Sequence, residues 1–335
     1  MAVRVAINGF GRIGRLVLRS LAEHKRKDIV VVGINDLGSP EANAHLLKYD
    51  SVHGTFPGSV SVKGDVMKIG TSAIKVMAER DPTKLPWKAL DVDVVMECTG
   101  IFTKRDKAAV HLDSGAKRVL VSAPCENADA TIVYGINHGS LKKEHKVVSN
   151  ASCTTNCLAP VADVLHKTVG ISKGFMTTIH AFTGDQNTVD TLHKDLRRAR
   201  AASLSMIPTS TGAAKAIGLV LPELKGKLDG TSVRVPTPNV SMIDLTFVSE
   251  KTASAEAINK AMIKASKGYL KGVLNVTEEK LVSIDFNHCA ASSTFDLTQT
   301  QVIGDNFVRI LAWYDNEWGF STRMADTALC LSKLK

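Results

Sequence analysis

Apolar and polar positions alternate at the start of the chain, with Val3, Val5 and Ile7 on one face. The run Gly9-Phe10-Gly11-Arg12-Ile13-Gly14 then gives way to Ile13, Leu16, Val17 and Leu21 at helical spacing. The period changes from two to 3.6 across the glycines, which predicts a strand, a tight turn and a helix. A second apolar run at 29–34 ends in Asn35-Asp36. Short buried strands are expected at 92–96, before Cys98-Thr99-Gly100, and at 118–121, before Ser122-Ala123-Pro124. Both stop at small or hydroxyl residues, as strand ends lining a ligand crevice do. Strand and helix alternate to about residue 149, which predicts an α/β domain built on a Rossmann-type, doubly wound parallel sheet.

After Asn150 the pattern changes. A helix is expected from about Ser152, with a kink or a break at Pro160. Longer strands at 174–181, 232–236, 241–249, 282–286, 294–296 and 307–314 predict an α+β domain with a mixed or antiparallel sheet and helices on one face. The final stretch, 322–334, is helical in pattern and is expected to pack back on the first domain. The division expected is therefore 1–151 as a nucleotide-binding domain, rejoined by a helix at about 317–335, and 152–316 as a catalytic domain. Residues 183–206 are polar, rich in arginine and without periodicity. Ordered loops of that length usually serve a site or a subunit contact.

A chain of 335 residues is too long for one small core, so the composition agrees with two domains. Its 22% charged and 44% apolar residues describe a globular protein rather than a disordered one. No apolar run approaches the ~18 residues of a membrane span. The N-terminus runs into a strand without a charged leader or an apolar core, which makes the cytoplasm the expected compartment. Six cysteines without Cys-x-x-Cys spacing, and no Cys and His cluster of zinc-site type, argue against a disulfide framework and a structural metal. The net charge of +9 suits either anionic small molecules or non-specific nucleic acid. Positive charge gathers in Lys194-Asp195-Leu196-Arg197-Arg198-Ala199-Arg200 with no interleaved aromatic residue to stack a base. Phosphorylated substrates account for the arginines better, and no specific nucleic-acid partner is expected.

Two constellations carry chemistry. The first is the glycine turn with Asp36, 36 − 14 = 22 residues past its last glycine, at the end of the next strand. Glycines let the backbone approach a pyrophosphate at a helix N-terminus, and an acid so placed accepts from ribose hydroxyls. The second is Ser152-Cys153-Thr154-Thr155-Asn156-Cys157 ahead of an apolar helical stretch, with His180 at the end of a candidate strand 180 − 153 = 27 residues later. A cysteine in a first helical turn meets the positive end of the backbone dipole, which favours thiolate, and an imidazole nearby can shuttle protons. Cys157, one turn on, reads as a small buried side chain.

Gly9-Phe10-Gly11-Arg12-Ile13-Gly14, Ala151-Ser152-Cys153-Thr154-Thr155-Asn156-Cys157, Ser210-Thr211-Gly212-Ala213-Ala214-Lys215, Arg234-Val235-Pro236-Thr237-Pro238 and Trp313-Tyr314-Asp315-Asn316-Glu317 stand in this order along the chain. Together they resemble the phosphorylating glyceraldehyde-3-phosphate dehydrogenase family over essentially the whole length. The resemblance implies that Cys153 attacks the aldehyde of glyceraldehyde 3-phosphate and that His180 takes the hydroxyl proton as hydride leaves. Inorganic phosphate then attacks the thioester to give 1,3-bisphosphoglycerate. It also implies anion-binding roles for Ser152, Thr154, Thr183, Arg198, Thr211, Gly212 and Arg234. For NAD it implicates Gly9, Arg12 and Ile13 at the pyrophosphate, Asp36 at the ribose, Arg80, Thr99 and Ser122 around the adenosine half, and Asn316 at the nicotinamide carboxamide. A homotetramer, with the arginine-rich loop near a subunit contact, is implied as well.

NAD is expected rather than NADP, because Asp36 repels a 2′-phosphate and no basic residue stands between Asn35 and Pro40. Leu192 replaces the proline that many relatives carry in this loop, which leaves NADP use open. The nearest alternative is erythrose-4-phosphate dehydrogenase, which shares the cysteine motif and releases a free acid. Non-specific nucleic-acid binding is kept as a secondary activity.

Overall fold

A computed structural model describes residues 2–334. The chain divides into two compact units, residues 1–152 with 321–335, and residues 153–320.

The first unit is built on a nine-stranded sheet. Val3–Asn8 lies in its middle, paired in parallel with Ile29–Asn35 on one side and Val94–Glu97 on the other. Chain order therefore reverses at the end of Val3–Asn8, the place where open α/β sheets bind ligands. Arg118–Val121, Val147–Ser149 and Ala130–Thr131 extend one side in parallel, and Ser72–Met77 the other. Helix Arg12–Glu23 buries Leu16, Val17 and Leu21 of the expected stripe together with Leu18, while Ile13 is half-buried.

Beyond Ser72–Met77 the sheet continues through two antiparallel strands, Val66–Ile69 and Val60–Lys63, which the sequence reading did not anticipate. Gly64 and Gly70, at φ 60° and 57°, make the two-residue turns that fold them. Val60–Lys63 alternates between half-buried and exposed positions but over only four residues, and Val66–Ile69 does not alternate, so neither run carries a long apolar period.

The C-terminal segment also belongs to this unit. Thr322 Oγ1 meets Ser20 Oγ at 3.0 Å, Asp326 accepts from Arg26 at 2.8 Å, and Arg118 donates to the Leu334 carbonyl at 2.8 Å.

The second unit carries a mixed eight-stranded sheet, of which seven strands form its main path. Ile171–Ala181 pairs in parallel with Leu228–Val235, placing His180 opposite Arg234, and antiparallel with Ser241–Ser249. Ser241–Ser249 pairs antiparallel with Phe307–Tyr314, setting Ser241 opposite Tyr314. Helix Cys153–Val169 packs on this sheet and against helix Ala255–Lys267.

Two expectations are corrected here. The break expected as one outcome at Pro160 does not occur, since helix Cys153–Val169 continues through it. An interior proline costs about 3 kcal/mol, but residues 154–165 are all buried, and packing of that extent outweighs it. Residues 282–286 are not a strand but a 3₁₀ turn, Ser283–Phe286. The Asp285 carboxylate accepts the Val282 N–H at 2.8 Å and closes the turn, while Val282 and Ile284 are exposed, with no strand face to bury. The parallel strand at this edge is instead Leu274–Thr277, beside Ser293–Asp296.

Candidate active site

Gly9 has φ 90°, and a Cβ there would lie 2.6 Å from the Thr99 backbone nitrogen. A Cβ on Gly14 would lie 2.1 Å from the Gly9 carbonyl oxygen, whereas one on Gly11 would meet nothing. Two glycines thus close the turn onto the sheet and the third leaves its outer side open. Helix Arg12–Glu23 starts at Gly11 with no side-chain cap, so its first N–H groups are left for an anion.

A cleft of about 450 Å3 opens here, lined among others by Gly9, Gly11, Asp36, Arg80 and Thr99. The Asp36 carboxylate is held at its rim by N–H groups of Phe10 (2.8 Å) and Gly38 (3.0 Å). Thr99 is fixed by Glu97, which accepts both its N–H, at 2.8 Å, and its hydroxyl. Glu97 also meets buried His111 Nε2 at 2.9 Å, and Trp87 Nε1 donates to the other ring nitrogen at 3.0 Å. The cradle and the acid at the rim fit a dinucleotide.

Not every expected cofactor residue lines this cleft. Arg12 stands at the helix start, but its side chain pairs through Nη1 with Asp50 at 2.6 Å. Burial raises the Asp50 pKa, but N–H groups of His53 and Val52 together with Arg12 outweigh it and bring the value down to about 2. Ile13 follows in the first helical turn, and Ser122 hydrogen-bonds the Cys98 thiol, which burial and then Glu97 push up to about 12.

In the second unit Cys153 Sγ lies 3.5 Å from His180 Nε2. His180 Nδ1–H donates to the Ala181 carbonyl at 2.6 Å, so the Nε2 lone pair faces the thiol. Ala151, with φ 57°, turns the chain just before Ser152 and the helix start at Cys153. Burial, then the Arg234 charge, push the His180 pKa from 6.5 down to about 3. The ring is therefore neutral at physiological pH and able to accept a proton. The Cys153 thiol is pushed up by burial, against which Arg234 and groups of Thr154 pull down. Desolvation thus works against the thiolate that the first helical turn favours.

Tyr314 crosses the His180 ring edge-on at 5.9 Å, and its hydroxyl links Thr154 (2.8 Å) with Thr178 (2.9 Å). Arg234 donates through Nη1 to Thr183 Oγ1 (3.0 Å) and Gln186 Oε1 (3.3 Å), while its Nε and Gln186 Nε2 are buried donors without a partner among the described residues. Such donors suit an anion. Arg198 is held differently, by Asp185 and by Thr209 Oγ1 at 3.0 Å. Thr211 Oγ1 accepts the Ala213 N–H at 3.2 Å in the turn containing Gly212, and Thr155 of the cysteine helix donates to the Ala213 carbonyl at 3.4 Å. Asn316 Oδ1 accepts from Ser241 at 2.7 Å. Cys153, His180, Thr154, Thr183 and Arg234 thus form one cluster, with Arg198 and the Thr211 turn at its margin.

Tyr314 stands inside the Trp313–Glu317 motif and Gln186 inside the arginine-rich stretch 183–206, so a signal for both was present. Thr178, Ser241 and His111 had none, because hydroxyls and imidazoles become partners only through the sheet.

Burial of the neutral imidazole sets a pH dependence. The unfolded chain takes up the His180 proton near pH 6.5 and the folded chain only near 3, so this contribution is complete above 6.5 and lost as pH falls toward 3. His180→Asn should lose less stability than the parent between pH 7 and pH 4 in urea unfolding. The difference should be on the order of a few kcal/mol, and equal losses would contradict a buried neutral ring.

Family models match both parts of the chain: "Glyceraldehyde 3-phosphate dehydrogenase, NAD binding domain" over residues 3–105 and "Glyceraldehyde 3-phosphate dehydrogenase, C-terminal domain" over 152–316. Among similar proteins, glyceraldehyde-3-phosphate dehydrogenase of Xanthobacter flavus is 67% identical over 334 residues, covering 100% of both chains. Those of Cereibacter sphaeroides and Geobacillus stearothermophilus are 64% and 56% identical, covering 100% and 98% of both chains.

Proposed function

Because the chain belongs to the glyceraldehyde-3-phosphate dehydrogenase family, we propose that its Cys153–His180 pair oxidises D-glyceraldehyde 3-phosphate and passes the acyl group to inorganic phosphate. It is an NAD-dependent oxidoreductase of glycolysis. The observation that carries the proposed chemistry is the neutral His180 Nε2 facing Cys153 Sγ at 3.5 Å, beside the Arg234 and Thr183 anion site.

Sγ attacks the aldehyde carbon while Nε2 takes the thiol proton, and the imidazolium returns it to the new oxygen to leave a hemithioacetal. Backbone N–H groups at the helix start stabilise the oxyanion. NAD, when bound, accepts the hydride released in the oxidation. Nε2 takes the hydroxyl proton a second time as the thioester carbonyl forms. A phosphate oxygen then attacks that carbon, the C–S bond breaks, and imidazolium reprotonates the leaving sulfur while the phosphate's own proton goes to solvent. The product is 1,3-bisphosphoglycerate.

Arg234, Thr183 and Arg198 serve the two anions, with Thr211, Gly212, Ser152 and Thr154 completing their sites. Gly9, Arg12, Ile13, Asp36, Arg80, Thr99 and Ser122 hold the cofactor, and Asn316 faces its carboxamide. We place the enzyme in the cytoplasm as a homotetramer. Val189, Leu192, Leu196, Leu204 and Met206 of the arginine-rich loop are exposed and apolar, which supports a subunit contact there.

NADH formation from glyceraldehyde 3-phosphate, by protein sized as four chains in light scattering, should depend on added phosphate. Turnover of equal rate without phosphate would overturn the acyl-transfer step and favour the acid-releasing alternative.

A further inference from the structure

Ser241 is the first residue of its strand and is buried, as are Ala181, His180 and Asn316 around it. Its hydroxyl oxygen accepts the Ala181 N–H at 3.0 Å and lies 2.7 Å from Asn316 Oδ1. A serine hydroxyl has one proton. Ala181 N–H is a donor, so that proton is free to go only to Asn316, and the Asn316 atom facing Ser241 is its oxygen. The Asn316 amide is thereby locked with Nδ2 turned away from Ser241, and Nδ2 has no hydrogen-bond partner among the described residues.

The same serine ties that amide to the histidine. The Ala181 peptide nitrogen bonds Ser241, and the Ala181 carbonyl accepts from His180 Nδ1 at 2.6 Å. One residue's backbone therefore sets both the tautomer of the base and, through Ser241, the orientation of the amide. The approach to Ser241 is strained: Val240 has φ 67°, a left-handed conformation that a β-branched side chain rarely adopts. Asn239, just before it, donates to Asn287 Oδ1 at 2.7 Å. Strain of this kind persists where the surroundings over-determine the backbone, and it collects at functional sites.

We propose that Ser241 is a positioning residue for hydride transfer, fixing which end of the Asn316 amide is offered to the cofactor carboxamide and registering it against His180. The proposal rests on the NAD-dependent reading above. Without the serine proton, the amide has no preference between its two orientations, and the flipped one presents an acceptor where a donor is needed. The carboxamide then loses its anchor, and the ring to which it is attached can offer either face.

The test combines equilibrium NAD binding by calorimetry with the stereochemistry of deuterium transferred from 1-deuterated glyceraldehyde 3-phosphate. Ser241→Ala should weaken NAD about tenfold, the worth of one good hydrogen bond, and yield NADH labelled detectably on both faces of the ring. Ser241→Thr, which keeps the hydroxyl, should restore single-face transfer. In an Asn316→Ala background, Ser241→Ala should change NAD affinity no further, since the serine acts through the amide. The cycle also covers the case in which Ser241→Ala alone lowers thermal stability, because a structural defect would add to Asn316→Ala. Parental affinity with single-face transfer in Ser241→Ala, or a full additional loss in the Asn316→Ala background, overturns the proposal. Failure of the parent itself to bind NAD overturns the underlying reading, a different and separately visible result.

Discussion

Cys153→Ser lowers NADH formation from glyceraldehyde 3-phosphate at least ~10⁴-fold, the scale of losing a covalent nucleophile. Burial already raises the Cys153 pKa, and Arg234 and the first helical turn only partly offset this. A serine hydroxyl in the same place starts from a far higher pKa than a thiol and is the poorer nucleophile, so far less of the attacking anion is available. An ester is also less activated toward phosphate than a thioester. Cys157 supplies the internal control. It is buried one turn along, its sulfur lies 3.3 Å from Ser293 Oγ, and burial pushes its pKa well up. Cys157→Ser should keep activity within about tenfold of the parent, as for a buried structural side chain. Calorimetric NAD binding and thermal unfolding establish that Cys153→Ser is intact. Comparable losses in the two variants would remove the distinction between nucleophile and neighbour.

The second large effect belongs to Arg234. Arg234→Leu should lower kcat/KM for glyceraldehyde 3-phosphate ~10²–10³-fold, as expected when charged, buried hydrogen bonds to an anion are lost. The guanidinium acts twice. It donates toward the anion site with Thr183, and its charge lowers the pKa of both His180 and Cys153. Unphosphorylated glyceraldehyde separates these roles, because it experiences only the second. The variant should lose much less with that substrate, mainly through a less acidic thiol, visible as slower iodoacetamide alkylation of Cys153 at neutral pH. An equal loss with both substrates would place Arg234 entirely in the thiol's electrostatics and leave the phosphate without its cation.

The parts legible in the sequence are those that local pattern determines. The first strand, glycine turn and helix follow from a change of period and from Gly14, whose Cβ would meet the Gly9 carbonyl, and both lie within a dozen residues, whereas the demand at Gly9 comes from the distant Thr99 backbone. The cysteine and its histidine were legible as residue types at strand and helix ends. Other features depend on what arrives from elsewhere in the chain. Pro160 passes through a helix because the helix is buried on nearly all sides. Val282 and Ile284 alternate like a strand but find no partner, and the Asp285 carboxylate closes a turn instead. The acidity of Cys153 depends on its surroundings in the same way, since a helix terminus is local and desolvation is not. Ser241 is invisible in the sequence because its hydroxyl matters only between two residues 60 and 75 positions away.

His180 and Arg234 are neighbours in a parallel ladder rather than tips of two loops. Their separation is therefore set by the interstrand hydrogen bonds, about 4.8 Å between strands, and can change only in whole register steps. A slip of one residue would send one of the two side chains to the opposite face of the sheet. Segments joining these strands can lengthen, shorten or change sequence while the base and the cation keep their distance. Variation in this protein is thus channelled: the loops can alter what reaches the chemistry, while its spacing is inherited intact.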